Sequence, residues 1–201
     1  MGEIASLFVA DPPELWEELG FAVTGGACWV SGIRHQLGAP GEGVTAWTLR
    51  AIDGLAELPV GEGTPPAAQT DGDHPNGVVG LDHVVVGTPD IGRTIDAFEA
   101  AGLSLRRTRD TGTRERPTMQ AFFKLGETIV EVVGSATTSR PGPARFHGLA
   151  FTVADLDATG TWLGDRLRPA KDAVQPGRRI ATLDRAAGST VPIAFMTPDP
   201  R

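Results

Sequence analysis

Residues 80–134 spell one supersecondary unit and residues 144–197 spell it again, and this repetition constrains the fold more than any single motif. Leu81–Val86 reads as a buried strand carrying His83. Asp90 stands where a helix N-cap belongs, its carboxylate able to accept from the free N–H groups of a first turn. Ile91, Ile95 and Phe98 share one helical face, and Gly102 supplies the stop. Three strand-like segments follow, LSLRRTRD, MQAFFKLG and ETIVEVVG, separated by a polar loop at Thr111–Pro117 and a turn at Gly126. The order is β-α-β-β-β. In the second unit Gly148–Asp155 lies on His83–Asp90 without a gap, Leu156 and Leu163 match Ile91 and Phe98, and Gly188 matches Gly126. Arg179–Leu183 and Ser189–Phe195 stand for its last two strands, with the Lys171–Gly177 stretch a loop over them.

Residues 1–57 read as a shortened third copy. Ile4–Val9 is strand-like, and Asp11-Pro12-Pro13 opens a short helix with Leu15, Trp16 and Leu19 facing the core. Phe21–Val23, Ala27–Val30, Ile33–Leu37 and Val44–Ile52 follow as strands. Residues 58–79 shift to Gly, Pro, Asp and Thr and form a linker, in which His74-Pro75-Asn76 is expected as a solvated turn. Ser135–Pro143 is a second polar connection.

The chain has 201 residues, a net charge of −7 and a single cysteine, Cys28. Its acidity argues against nucleic acid or an anionic membrane as the partner. One cysteine leaves no intrachain disulfide and no thiolate metal cluster. No apolar run approaches the roughly 20 residues of a spanning helix, and no basic-then-apolar leader opens the sequence. A cytoplasmic protein with a small-molecule ligand is expected.

Tandem β-α-β-β-β units, the first opening LDHVVV and reaching Pro89-Asp90, resemble the vicinal oxygen chelate superfamily: glyoxalases, extradiol dioxygenases, and fosfomycin- and bleomycin-resistance proteins. The resemblance covers residues 80–197. It implies an α+β fold in which paired βαβββ modules curl one mixed sheet around a cavity, within one chain or across a homodimer. It also implies a divalent metal (Zn, Fe, Mn or Ni) held by inward residues of each unit's first and last strands. In the first unit these are His83 and Glu131, an imidazole and a carboxylate suited to such a metal. In the second unit the matching residues are Gly148 and Ile193, neither of which can ligate. His147 lies one residue off, on the opposite face of a regular strand. Setting Ile33–Gly38 against Ile129–Gly134 places His35 on the Glu131 position, as a third ligand.

Glu131 interrupts an apolar strand, so its carboxylate needs a cation, a donor or its own proton. His83 is the candidate partner, and the pair could also serve as a general base with its orienting acid. Val85, Gln120, Phe122 and Ile129 are expected to line the cavity, with Arg179, beside Arg178, meeting an anionic substrate at its mouth. Trp47, Trp162 and Phe195 are further aromatic candidates that core packing explains as well. Two functional readings follow: a metal-dependent glyoxalase-like lyase, isomerase or dioxygenase, or a non-catalytic protein that sequesters a small molecule.

Overall fold

Two sheets carry the chain, and the computed structural model describes residues 2–200 apart from 53, 56, 57 and 68. The first holds β1 (Glu3–Val9), β2 (Ala27–Val30), β3 (Ile33–Gln36) and β4 (Val44–Arg50) in the order β2-β3-β1-β4, with α1 (Pro13–Glu18) after β1. Pro12 and Pro13 start that helix, where a fixed φ suits the first turn and a missing N–H leaves nothing unpaired. No strand forms at Phe21–Val23. Gly25 and Gly26 both take positive φ, so only a bridge between Thr24 and Ala27 survives, and Phe21 instead packs 4.5 Å from Trp16.

The two repeats build the second sheet. The first repeat is β5 (Val78–Gly87), α2 (Ile91–Ala100), β6 (Leu105–Gly112), β7 (Pro117–Leu125) and β8 (Thr128–Ser135). The second is β9 (Arg145–Val153), α3 (Leu156–Leu163), β10 (Lys171–Asp172), β11 (Arg179–Thr182) and β12 (Ile193–Met196). Asp90 accepts from Arg93 N, and Asp155 from Asp157 N and Ala158 N, so both helices start on the aspartate caps their sequences announce. Strand order is β10-β11-β12-β9-β5-β8-β7-β6, strongly curled. Each first strand runs parallel to its own last strand, β5 with β8 and β9 with β12. The units meet through antiparallel β5 and β9, so they pair within one chain.

Alternation gives this sheet two unlike faces. Val84, Val86, Ala121, Phe123, Val130 and Val132 are buried on one, with Phe98 of α2 4.9 Å from Phe123. Leu149, Phe151, Ile193 and Phe195 continue the same face, and here the N-terminal part covers it. The rings of Trp16, Phe21 and His35 surround Phe151, and Trp47 meets Phe146 at 5.1 Å.

The linker's end is fixed rather than solvated. His74 Nδ1 accepts from Ala22 N while Nε2 faces Trp29 O, which sets the Nε2–H tautomer. Asn76 is buried, donates to Leu19 O and accepts from Val78 N. No helix among the described residues is long and apolar enough to cross a membrane.

Candidate functional site

The second face of the curled sheet carries the polar side chains. His83 and Val85 lie between the core-facing residues of β5. Ile129 pairs with His83 and Glu131 with Val85, so these four share the open face. Across β8, Phe122 stands opposite Glu131 and Gln120 opposite Val133, and beyond them Arg107 and Arg109 of β6 pair with Phe122 and Gln120. The structure therefore gathers His83, Val85, Gln120, Phe122, Ile129 and Glu131 on one surface.

A bulge adds a residue that alternation alone would exclude. Leu81 pairs with Phe151 and His83 with Ala150, leaving Asp82 as the extra residue on β5. Bulges re-aim side chains, and this one lets consecutive residues touch. His83 Nδ1 is 2.8 Å from Asp82 Oδ2, and Arg178 Nη2 donates to Asp82 Oδ1 at 2.6 Å. Arg178 also donates to Thr197 O and Gln175 Oε1, which accounts for its burial. On the other side His83 Nε2 stands 3.6 Å from Glu131 Oε2. Glu131 Oε1 accepts from Gln120 Nε2, and Gln120 Oε1 accepts from Arg109. One polar chain thus runs Arg109–Gln120–Glu131–His83–Asp82–Arg178. Burial pushes the Asp82 carboxyl up, but the hydrogen bonds from His83 and Arg178 outweigh it and hold it down at about 2.

Other expected members lie elsewhere. Arg179 points to the helix side, where both Asp157 oxygens accept from it at 3.0 Å. His35 is fully buried against Phe151, on the face opposite His83, so it cannot share a ligand with that histidine. Phe195 and Trp47 are core, and Trp162 is half exposed on α3. His147 does sit at a bulge, since Val85 pairs with Gly148 and Val86 with Phe146. It lines a separate cleft with Thr88 and Pro89.

The residues present do not fit a divalent metal. His83 and Glu131 come from one unit, and a stable site of the usual kind wants three or four protein donors. Register puts Ala194, not Ile193, at the counterpart of Glu131, because Ala194 pairs with Ala150 as Glu131 pairs with Val85. Gly148 cannot be refilled either: a Cβ built there meets Pro192 O at 2.7 Å. Among the described residues no three His, Cys, Asp or Glu side chains gather into a metal-binding group. Gly148→Ala is therefore expected to lose about 1–3 kcal/mol of stability, read as a lower urea midpoint. Gly148→His should recruit no zinc in calorimetry, and stoichiometric zinc uptake by that variant would contradict the steric argument.

Residues 82–182 match the sequence model of the glyoxalase/bleomycin resistance protein/dioxygenase superfamily. The chain belongs to that superfamily. No protein of curated function matches this superfamily member. Among solved structures it resembles the methylmalonyl-CoA epimerase of Mycobacterium tuberculosis at 23% identity and a TM-score of 0.48, over 62% of this chain and 91% of that one. The Streptomyces coelicolor methylmalonyl-CoA epimerase, crystallised with 2-nitronate-propionyl-CoA, gives 19% and 0.48, over 61% and 96%. A hypothetical protein of Bacillus halodurans gives 16% and 0.47, over 60% and 95%. These likenesses concern the fold.

Sequence reasoning missed Asp82, Arg109 and the buried role of Arg178. The available signal was Asp82 itself: two adjacent polar residues in a strand otherwise apolar fit better with a bulge than without one.

Proposed function

We propose that this superfamily member binds a small organic molecule on the open face of its curled sheet and that His83 moves a proton on it. The observation that carries this is the clasp on the imidazole. Asp82 accepts from Nδ1, which leaves the Nε2 lone pair directed toward Glu131 and the open face. An imidazole with a fixed tautomer beside a second carboxylate is a general base with a neighbour to hold or relay the proton. Glu131 keeps its place because Gln120 bonds one of its oxygens and Arg109 prevents the amide from turning over. His83 and Arg178 together hold the Asp82 carboxyl down against its burial, so the orienting acid stays charged across the neutral range. Both units of one chain form this face, so the reading needs no second copy. A metal-dependent lyase, isomerase or dioxygenase reaction lacks its donor set here.

The test is hydrogen–deuterium exchange in D2O, followed by NMR over a panel of small 2-oxo acids, hydroxyketones and acyl thioesters. Chelator-treated protein should exchange the hydrogen next to a carbonyl in at least one compound. His83→Gln should abolish that exchange and Glu131→Gln should reduce it by at least tenfold. Exchange that persists in His83→Gln, or that disappears on chelation, would remove this reading. Tight binding of compounds that never exchange would instead make the protein a sequestering one.

A further inference from the structure

We infer that the ligand of this face is an organic anion whose carboxylate or phosphate group sits at Arg107, with its apolar body on Phe122 and Ile129. The inference rests on the open face being the ligand site. A cleft of about 830 Å³ lies there, floored by Phe122 and Ile129 and walled on one side by Pro176 and Pro200. Four cations line it, Arg106, Arg107, Lys124 and Arg178, against three acids, Asp82, Glu127 and Asp199. Each acid is engaged: Asp82 by Arg178 and His83, Glu127 by Lys124 at 3.0 Å, and Asp199 by Gln175 at 3.0 Å. Arg106 and Arg107 are unpaired: no hydrogen bond or ion pair joins either to a described residue, and of the two it is Arg107 whose guanidinium lies 4.6 Å over the Phe122 ring.

Stacking orders that group without using its donors. A guanidinium spends its face on an aromatic ring and keeps its N–H edge for a carboxylate or phosphate. Arg109 covers the same ring at 5.4 Å, and the donors it commits go to Gln120. In a chain of net charge −7, two unpaired cations beside an apolar floor are a local exception that selects for negative charge. Arg107 stands two strands from Glu131, a spacing of about 10 Å. His83 and Glu131 do not themselves line the cleft, but Ile129, the strand partner of His83, does, so a ligand of that length lying along it ends beside the pair.

Three probes of similar size test this: benzoate, phenyl phosphate and benzyl alcohol, titrated into the full chain and followed by NMR shift changes of the β6–β8 amides. At least one anion should bind, with the better of the two naming carboxylate or phosphate, while benzyl alcohol binds roughly tenfold more weakly or not at all. Arg107→Gln should weaken the anion roughly tenfold, and raised salt should weaken it too. Arg185→Gln, an equal change of charge in the 3-10 turn before β12, should leave it unchanged. Equal binding of benzyl alcohol, or equal effects of the two variants, would overturn the inference. Proton exchange without anion binding defeats this inference alone. Anion binding through Arg107 without exchange defeats only the proton-transfer reading.

Discussion

Asp11→Ala is expected to lower the unfolding free energy by about 4 kcal/mol and to loosen the N-terminal sheet from the curled one. Asp11 precedes the helix of Pro13–Glu18, but Pro12 takes the cap position and the Asp11 carboxylate turns inward. One oxygen accepts from Thr190 N at 2.8 Å and Thr190 Oγ1 at 2.6 Å. The other accepts from Trp16 Nε1 at 3.2 Å and Ser189 Oγ at 2.6 Å. It is 1% exposed, so removing the carboxylate strands its donors in a buried site. Hydrogen bonds to a charged group are worth about 1.5–3 kcal/mol each, and burying the charge takes back part of the sum. Asp11→Asn should also destabilise, because its amide N–H₂ would face donors. Asp155→Ala, which removes an exposed helix cap, should cost much less. Urea unfolding followed by tryptophan fluorescence reads all three, and a loss below about 1 kcal/mol in Asp11→Ala would show that the clasp is not what joins the sheets.

The repeat was legible because its signals are local. Asp90 and Asp155 cap the helices, Gly126 turns between β7 and β8, and alternation in residues 128–133 puts Glu131 opposite Val130 and Val132. From those residues the α+β architecture and most of the open face follow. What sequence could not show depends on register between distant strands. The bulge at Asp82 arises from how β5 meets β9, and Arg178 reaches Asp82 only because the chain returns from β10 to β11 beside it. The same limit explains Ile193, one residue out of phase with its expected role because the pairing of β12 with β9 puts Ala194 at that place. His74-Pro75-Asn76 does form a turn, Gly77 N donating to His74 O at 2.8 Å, but it is not solvated, because the partners of its side chains, Ala22, Trp29 and Leu19, lie more than forty residues earlier.

His35 should make the protein lose about 3 kcal/mol of stability between pH 7 and pH 4. It is fully buried, and that burial outweighs the backbone contact with Ile33 O and pushes its pKa down to about 4. Nδ1 faces Ile33 O at 3.2 Å and so carries the proton, while Nε2 has no partner. A second proton would place a charge beside Phe151 in a fully buried site, which desolvation opposes more strongly than the backbone contacts with Ile33 and Cys28 favour it. The unfolded chain accepts that proton near pH 6.5 and the folded chain only near pH 4. The contribution is therefore whole above about pH 6.5, falls as the pH drops, and is exhausted below about pH 4. Asp82 acts in a separate window, between its unfolded value of 3.8 and its folded value of about 2. His74, also lowered by burial, adds to the slope in the same direction as His35. His35→Leu removes the titrating group and the orphaned nitrogen together, so its stability should stay nearly level from pH 6.5 to pH 4.5 apart from the His74 share. Urea midpoints at half-unit intervals decide the matter: parallel curves for wild type and His35→Leu would mean that the buried imidazole is already protonated or already hydrated in the folded chain.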